Sequence, residues 1–372
     1  MRILFVESFY GGSHREVADS IREHSRHQID LVTLSAARWK WRIRAAALEF
    51  ADSVCVDGYD LIVCTGLLRV ADLLMTTRRP SSGTIPPVLL YCHETQLCYP
   101  VPDGRRMDID LGIADIANML CADSVAFNSS SHRDAFLTEA PRFIERIHAS
   151  TLSHAVAAIE RRSVVCEPGI APRAWPAATT GGADPAGGTA TTDPPIVLWN
   201  HRWEFDKNPD AFFHALRAVR ARGVRFRLAI AGEHSRRIPD AFDAARAEFG
   251  DAIVHYGYAE SREEYYALLD AADIVVSTAI QENFGIAVME AIAAGCAPIL
   301  PDRLSYPRLI PAAYHSTCLY RSDDELVDLL SGAIEQRLHP PDELVEHARS
   351  FSWTHRIVAF DELFERVADG RR

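Results

Sequence analysis

Short apolar runs alternate with stretches of helical periodicity along almost the whole chain, and this alternation constrains the fold more than any other feature. In the first half, the apolar runs predict strands at 2–7, 29–34, 61–65, 87–92, 124–128 and 163–166. Segments of helical period lie between them, such as 15–26, 42–52 and 111–121. Continuous runs of Val, Ile and Leu are what a parallel strand buried on both faces requires. The pattern therefore predicts a doubly wound α/β sheet.

The alternation stops once and then starts again. Residues 173–195 are rich in Pro, Gly, Ala and Thr and have no periodicity, which predicts a flexible linker or loop. The pattern then resumes, with strands expected at 196–199, 227–231, 253–256, 274–278 and 297–300. Because 372 residues exceed what one ordinary core buries, we predict two Rossmann-like domains, 1–172 and 196–353, facing a cleft. A last helical segment, 354–372, either covers the second domain or packs back on the first.

Composition excludes several classes of protein. Hydrophobic residues make up 48% of the chain and charged residues 24%, which is the balance of a globular protein. No apolar run reaches the roughly 18–20 residues of a membrane span, and Glu7 interrupts the first apolar run too early for a signal peptide. The eight cysteines lack the spacing of a zinc site or a disulfide framework. We therefore expect a cytoplasmic protein with no membrane partner, no metal and no cofactor.

The net charge of −12 argues against a general nucleic-acid binder, but the charge is unevenly distributed. Residues 1–172 hold 18 Lys and Arg against 21 Asp and Glu (net −3), whereas the rest of the chain holds 21 against 30 (net −9). A polyanionic partner would therefore prefer the first half. Within it, Arg38-Trp39-Lys40-Trp41-Arg42-Ile43-Arg44 combines cations and indoles as nucleic-acid contacts do. The same run also fits a helix start with buried tryptophans and solvated cations.

The most informative motif, Gln281-Glu282-Asn283-Phe284-Gly285, follows the strand expected at 274–278 and opens a helix near Gly285. A glycine at a helix start lets a ligand approach free backbone N–H groups, which suits a diphosphate. Glu290 lies more than one turn inside this apolar helix, where a carboxylate is costly to bury without a polar partner. Ribose hydroxyls would be good partners. Taken alone, the motif also fits a helix-start acid followed by a solvated glutamate.

A second motif follows the strand expected at 196–199. Arg202 leaves the end of that strand, and Lys207 precedes a helix opened by Asn208-Pro209. Two cations at the carboxyl end of a strand can neutralise a leaving diphosphate in place of a divalent metal. In isolation, the spacing equally fits a pair of surface cations.

Two segments of the first half also follow strands. Gly11-Gly12-Ser13-His14 comes after the first strand and opens a helix, and its glycines permit a tight turn. His93-Glu94-Thr95-Gln96 comes after the strand at 87–92, although a lone histidine is also common as a structural residue. Asp108-Ile109-Asp110 has the spacing of a metal motif, but it precedes a helix, so we interpret its carboxylates as helix-start acids.

The two motifs of the second half together resemble the family 4 glycosyltransferases of the GT-B fold. Glu282 and Glu290 match that family's Glu-x7-Glu motif, and Arg202 with Lys207 matches its Arg…Lys pair. The resemblance implies that Arg202 and Lys207 contact the diphosphate of a nucleotide-sugar donor. It also implies that Glu282 and the Phe284-Gly285 backbone face the donor sugar. Glu290 would hold the ribose.

In the first half, the same resemblance implies that Gly11, Gly12 and His14 form an acceptor-side loop and that His93 lies near the transferred sugar. The segments FVESFYGGSH, RWKWR and YCHETQLCYP are similar to those of a narrower group, the tRNA-queuosine α-mannosyltransferases. This similarity implies a retaining, metal-independent hexosyltransferase that moves mannose from GDP-mannose onto queuosine in a tRNA anticodon. Arg38, Lys40, Arg42 and Arg44 would then contact the tRNA. The nucleotide sugar would be a substrate and not a cofactor.

Three other functions remain open. A glycosyltransferase of the same fold that acts on an envelope glycolipid or a small molecule usually carries a basic amphipathic membrane surface, and none is evident. A sugar-nucleotide 2-epimerase shares the two-domain architecture and would act on the donor without an acceptor. A non-catalytic tRNA-binding module would bind RNA without turning over any donor.

Overall fold

The structure is a computed structural model that describes residues 1–77, 83–102, 104, 106–175, 193–233 and 238–370. The chain divides into two compact units: Met1–Ala171 with Trp353–Arg372, and Pro172–Ser352. Most of the expected linker 173–195 lies outside the described residues, because only its first three and last three residues are described.

The first unit alternates strands and helices from its first residues onward. Its described elements are β1 (Arg2–Tyr10), α1 (Gly12–His24), β2 (Gln28–Ser35), α2 (Trp39–Phe50), β3 (Leu61–Thr65), α3 (Val70–Thr76), β4 (Val88–Cys92), α4 (Ile109–Cys121), β5 (Ser124–Phe127), α5 (Ser130–Arg146), a 3₁₀ turn (Ser150–Leu152), α6 (Ser153–Arg162) and β6 (Ser163–Val165). The six strands predicted for the first half are therefore confirmed, with β1 three residues longer than expected.

The six strands of the first unit form one parallel sheet in the order β2-β1-β3-β4-β5-β6. The central strands β3 and β4 are buried at every position, as a parallel sheet covered by helices on both faces requires. The strand order reverses at β1, because β2 lies on one side of it and β3 on the other. Doubly wound sheets bind ligands beyond the carboxyl ends of their strands at such a switch point.

The second unit repeats this plan. Its described elements are β7 (Ile196–Asn200), a 3₁₀ turn (Phe205–Lys207), α7 (Pro209–Ala221), β8 (Arg227–Ala231), α8 (Asp240–Phe249), a 3₁₀ turn (Gly250–Ala252), β9 (Ile253–Gly257), α9 (Arg262–Ala271), β10 (Ile274–Val276), α10 (Ile286–Ala294), β11 (Ala297–Pro301), α11 (Tyr306–Leu309), a 3₁₀ turn (Ala312–Tyr314), α12 (His315–Cys318), β12 (Leu319–Tyr320), α13 (Asp323–Glu335) and α14 (Asp342–Arg349).

The second sheet is also parallel, in the order β12-β11-β10-β7-β8-β9. Its switch point lies between β7 and β10, because the chain passes from β7 through β8 and β9 on one side before it returns on the other. The five strands predicted here are confirmed, although β10 ends at Val276, two residues early. The two-residue β12 was not predicted, because two residues are too few to produce a periodic signal.

The last helix, α15 (Trp353–Ala368), belongs to the first unit. Asp361 on this helix accepts hydrogen bonds from Ser25 Oγ at 2.5 Å and from the backbone N–H of Arg26 at 3.1 Å. The backbone N–H of Trp353 donates to Ile170 at 3.0 Å. The final segment of the chain therefore completes the unit that its first residues begin. Across the described residues, every helix is too short or too polar to cross a bilayer.

Candidate functional site

The two motifs of the second half follow the two strands that flank the switch point of the second sheet. Arg202 lies two residues after the end of β7 and Lys207 ends the next 3₁₀ turn, whereas Glu282 lies in the segment after β10. The backbone N–H of Ile280 donates to the carbonyl oxygen of Asp206 at 2.9 Å, which joins the two segments. The strand order therefore brings Lys207 into contact with Glu282, 75 residues later in the sequence.

The Lys207 ammonium is buried among acceptors. It donates to the carbonyl oxygen of Gln281 at 2.6 Å and to the Glu282 carboxylate at 3.2 Å, and an oxygen of Asp206 lies 3.5 Å away. Asp206 is only 1% exposed, and its carboxylate accepts no hydrogen bond from the described residues. The surface-cation interpretation is therefore wrong for Lys207, whereas Arg202 is exposed.

Helix α10 begins directly after Gly285, as the motif predicted. Gly285 has a φ of +106°, and an added Cβ would lie 3.3 Å from the Tyr306 ring, so both its backbone angle and its surroundings favour glycine. The Phe284 ring is 2% exposed and lies 5.7 Å from that of Phe351. The resemblance gave the role to the backbone of Phe284, whose carbonyl oxygen accepts a hydrogen bond from Ser305 Oγ at 2.7 Å.

Glu290, in the second turn of α10, is 8% exposed and has polar partners within the protein. Its Oε2 accepts a hydrogen bond from the hydroxyl of Tyr265 at 3.1 Å, and Asn200 Nδ2 lies 3.2 Å from the oxygen of that hydroxyl. Tyr265 is on α9, and Asn200 is the last residue of β7. Sequence reasoning missed both residues. The sequence signal that could have led to them was the expected burial of the Glu290 carboxylate, since a buried carboxylate requires a polar partner.

In the first unit, His14 lies between two carboxylates. His14 Nδ1 is 3.1 Å from Oε2 of Glu7, and His14 Nε2 is 3.1 Å from Oε2 of Glu94. Burial alone would lower the pKa of His14, but the charges of Glu7 and Glu94 and their hydrogen bonds raise it to about 10. His14 is therefore an imidazolium at neutral pH. The sequence motifs contained Glu7 and Glu94, but sequence reasoning assigned neither of them a role.

His93 follows β4, and its ring stacks on that of His14 with the ring centroids 3.9 Å apart. Burial holds the pKa of His93 well below its ordinary value, and the nearby charges of His14 and His132 lower it further. His93 is therefore neutral beside a charged imidazole. Its carbonyl oxygen accepts a hydrogen bond from Asn128 Nδ2 at 2.8 Å, which fixes the backbone of this segment.

One group of side chains has the composition of a metal site. Single ligand atoms of Glu7, His14 and His93 all lie within 4.8 Å of one another. The imidazole rings of His14 and His93 are stacked with only 25° between their planes, however, so their in-plane lone pairs run almost side by side and do not converge on one ion. The arrangement fits a hydrogen-bonded charge cluster better than a metal centre.

The acids of the Asp-x-Asp motif lie at the start of α4. Nη2 of Arg44 is 2.9 Å from Asp108 and 3.1 Å from Asp110, and Asp110 also forms an ion pair with Arg69. Arginines therefore engage both carboxylates, and their place at the helix start agrees with the interpretation from sequence.

The basic-aromatic run forms the start of α2. Trp39 is 36% exposed and Trp41 is 59% exposed, so the alternative with buried tryptophans is wrong. Arg38 and Lys40 are exposed as well and form no ion pair with the described residues. This end of α2 therefore presents two cations and two indoles to solvent.

Arg42 and Arg44 differ from the other two cations. Arg42 is 8% exposed, and its guanidinium donates to both carboxylate oxygens of Glu49 at 2.7 Å and to the carbonyl oxygen of Ser35 at 3.1 Å. Arg44 is paired with the acids at the start of α4. The alternative interpretation, in which all the cations of this run are solvated, is wrong for Arg42, because its position on α2 turns it toward the protein.

Comparison with known proteins extends these observations. A family model described as tRNA-queuosine alpha-mannosyltransferase N-terminal matches residues 2–170, and one described as glycosyl transferases group 1 matches residues 184–351. A tRNA-queuosine alpha-mannosyltransferase of Drosophila melanogaster is 33% identical over 311 residues, which cover 83% of this chain and 81% of that protein.

The chain belongs to the tRNA-queuosine alpha-mannosyltransferase family. It is therefore a hexosyltransferase, as the resemblance predicted.

Two other proteins are also similar to this chain. A GDP-mannose:cellobiosyl-diphosphopolyprenol alpha-mannosyltransferase of Xanthomonas oryzae is 32% identical over 132 residues, 33% of each chain. The sucrose-phosphate synthase of Thermosynechococcus elongatus superposes with a TM-score of 0.71 over 99% of both chains, at 16% identity. The predicted GT-B fold is thereby confirmed.

Proposed function

We propose that this family member transfers mannose from GDP-mannose to queuosine in a tRNA anticodon, with retention of configuration and without a metal ion in the reaction. The observation that carries the proposal is the geometry of the second unit, where Lys207 and Glu282 are in contact at the switch point of the sheet. Two relatives support the details, since one is named for queuosine in tRNA and another for GDP-mannose. Such an acceptor implies a cytoplasmic enzyme.

The donor diphosphate is assigned to Arg202, Lys207 and the start of α10. An ammonium has three N–H donors, and Lys207 directs two of them to Gln281 and Glu282, so one remains for a phosphate oxygen. The exposed Arg202 adds a guanidinium that can bind an anion through two parallel hydrogen bonds. Together they stabilise the negative charge that develops as the diphosphate leaves, which is the task of a divalent metal in other glycosyltransferases.

The sugar is transferred through a transition state that resembles an oxocarbenium ion, so the protein mainly positions the reactants. Glu282 and the backbone of Phe284-Gly285 are assigned to the donor sugar, and Glu290 to the ribose. The neutral His93 can exchange hydrogen bonds with a sugar hydroxyl, because one ring nitrogen donates and the other accepts. Gly11, Gly12 and His14 are assigned to the acceptor side.

The tRNA is assigned to the exposed start of α2. The chain carries a net charge of −12, so binding to a polyanion has to rely on a local surface. Arg38 and Lys40 supply cations for phosphates, and Trp39 and Trp41 supply surfaces on which unpaired bases can stack.

The decisive experiment supplies radiolabelled GDP-mannose together with tRNA that contains or lacks queuosine. We expect label to enter only the queuosine-containing tRNA, with GDP released in equal amount. Labelling of both tRNAs would contradict the proposed acceptor, and transfer only from UDP- or ADP-sugars would contradict the proposed donor. Conversion of GDP-mannose to an epimer without tRNA would favour the epimerase alternative instead.

Metal independence has its own test. Because Arg202 and Lys207 replace the divalent cation in this proposal, transfer should continue at an unchanged rate after dialysis against EDTA. Loss of transfer on chelation, with recovery on adding Mn²⁺ or Mg²⁺, would show that the reaction needs a metal.

A further inference from the structure

A chain of three polar side chains lies behind the start of α10, on elements that sequence reasoning did not connect. Asn200 ends β7, Tyr265 is on α9 and Glu290 is on α10. We propose that Tyr265 and Asn200 are positioning residues, which hold the carboxylate of Glu290 in the orientation that binds the ribose of the donor. This inference rests on the proposed function, because it takes Glu290 as the ribose-binding residue.

The chemistry of the partners determines the direction of each hydrogen bond in this chain. Asn200 Nδ2 lies 2.8 Å from the carbonyl oxygen of Ala287, which can only accept, so the amide must turn its NH₂ group toward α10. The same NH₂ group lies 3.2 Å from the hydroxyl oxygen of Tyr265 and donates to it. The single proton of that hydroxyl is then directed to Oε2 of Glu290, 3.1 Å away.

The reverse direction is unfavourable. A flipped Asn200 amide would place its oxygen against the carbonyl oxygen of Ala287, and two acceptors repel each other at this distance. Burial raises the pKa of Tyr265 well above its ordinary value, and the charge of Glu290 raises it further, so the hydroxyl keeps its proton. Tyr265 therefore acts as a permanent donor to Glu290.

Burial keeps water from replacing the hydrogen bonds between these side chains. Asn200 is 6% exposed and Glu290 is 8% exposed, so neither side chain is free to exchange its protein partners for bulk water. A glutamate side chain has several rotatable bonds, and fixing it before the ligand arrives reduces the entropy lost on binding. A carboxylate offers about four acceptor positions, so the bond from Tyr265 leaves capacity for ribose hydroxyls.

The positioning role predicts a defined change in Tyr265→Phe. The variant loses one hydrogen bond to a charged group, which corresponds to roughly tenfold weaker donor binding. Because the ribose is remote from the reacting bond, KM for the donor should rise while kcat stays nearly unchanged. The loss of affinity should occur only for nucleotides that carry the ribose hydroxyls. A general structural defect would weaken the binding of all nucleotides alike.

The test measures binding of GDP and of its 2′,3′-dideoxy analogue by calorimetry. Wild type should prefer GDP, and Tyr265→Phe should lose most of that preference. Tyr266→Phe, at the next position of α9, is the matched control and should keep it. Asn200→Ala should show the same signature more weakly, which also provides a second variant if Tyr265→Phe folds poorly.

The outcomes separate this inference from the function on which it rests. Wild type that binds both nucleotides equally would show that Glu290 does not use the ribose, and this would overturn the donor assignment. Wild type that prefers GDP, together with Tyr265→Phe and Asn200→Ala variants that keep the full preference, would overturn the positioning role alone. If GDP does not bind, UDP and its dideoxy form take its place, and failure to bind either nucleotide overturns both proposals.

Discussion

Buried charges with paired partners characterise the candidate site at the scale of single residues. Lys207 lies within 3.5 Å of two carboxylates, and His14 lies within 3.1 Å of two others. In such groups, removing one partner leaves the other charged and buried, which is more costly than losing the attraction itself. Substitutions at these positions therefore change stability as well as activity, and a useful experiment has to separate the two effects.

Arg202 and Lys207 allow this separation. Arg202→Ala should raise the activation barrier for transfer by about 2–4 kcal/mol, the range for losing a charge-stabilising donor, without lowering the melting temperature, because Arg202 is exposed. Lys207→Ala should lose activity and also melt earlier, since it leaves Asp206 buried without its cation. Steady-state kinetics and thermal unfolding measure the two effects.

The control for these variants is Arg217→Ala, which removes an exposed arginine from α7 of the same unit. It should keep both kcat/KM and the melting temperature. A nearly normal kcat/KM in Arg202→Ala would remove this residue from the diphosphate site.

The pKa of His14 predicts a pH dependence of stability. An unfolded histidine has a pKa of about 6.5, and in the folded protein the charges of Glu7 and Glu94 raise it to about 10 against the effect of burial. The resulting stabilisation is complete below the unfolded value and is lost as pH rises through the folded value. The free energy of unfolding should therefore fall between pH 7 and 10 more steeply in wild type than in His14→Gln. Urea denaturation at several pH values measures it.

Other groups also titrate in this window, so only the difference between wild type and variant is informative. His154→Gln, which replaces an exposed histidine of the same unit, should follow the wild-type curve. Parallel curves for wild type and His14→Gln would show that Glu7 and Glu94 do not raise the pKa of His14.

At the scale of secondary-structure elements, helix α2 shows how one short basic run divides into exposed and buried side chains. Its first turn exposes Trp39 and Trp41 with the neighbouring cations, whereas the next turn directs Arg42 toward Glu49 and the end of β2. A helix turns by about 100° per residue, so the side chain of Arg42 points about 200° away from that of Lys40. The exposed cations, which we propose to contact RNA, are therefore distinct from the arginines that pair with acids of the protein.

This division predicts different results for two sets of α2 variants. Arg38→Ala with Lys40→Ala should weaken tRNA binding and reduce the slope of log affinity against log salt concentration, by somewhat under one unit for each lost phosphate contact. Stability and donor binding should not change. Arg42→Ala should instead lower the melting temperature, because it leaves Glu49 without its partner. Binding assays at two or more salt concentrations distinguish the sets.

Arg142→Ala with Arg161→Ala provides the matched control, since both arginines are exposed elsewhere in the first unit. This pair should leave the tRNA affinity and its slope unchanged. If Arg38→Ala with Lys40→Ala also leaves them unchanged, the acceptor surface lies away from α2, and the proposed tRNA contact is wrong.

At the scale of the whole molecule, the end of the chain completes the unit in which the chain begins. Asp361 of α15 is 3% exposed and bonds Ser25 and Arg26, more than 330 residues earlier. The Trp353 ring lies so close to Gly169 that a Cβ added there would be 2.7 Å from it. The first unit therefore depends on contacts between segments that are more than 330 positions apart in the sequence.

Asp361→Ala should destabilise the first unit specifically. The change removes the charged acceptor of two part-buried hydrogen bonds, and a hydrogen bond to a charged group contributes about 1.5–3 kcal/mol. Amide hydrogen exchange should then become faster in β1–β6 and remain unchanged in β7–β12, because the latter strands belong to the other unit. Glu362→Ala, at the exposed neighbouring position, should leave both regions unchanged. Equal exchange in the two variants would show that α15 adds little to the first unit.

The amino-acid sequence by itself determined the alternation of strands and helices, the glycine before α10 and the spacing of the donor-side motifs. These features are local, since periodicity and turn residues act over a few positions. Arg202, Lys207, Glu282 and Glu290 became candidates for the donor site because their spacing along the sequence resembles a family motif.

Only the tertiary structure decided which side chains meet and which charges are buried. Tyr265 bonds Glu290, His14 lies between Glu7 and Glu94, and Arg42 is directed inward while Arg38 is not. Each of the first two contacts joins segments that belong to different elements, so it depends on the order of strands in a sheet and on the faces that neighbouring helices present. A periodic pattern records which face of an element is apolar, but it does not record which other element covers that face.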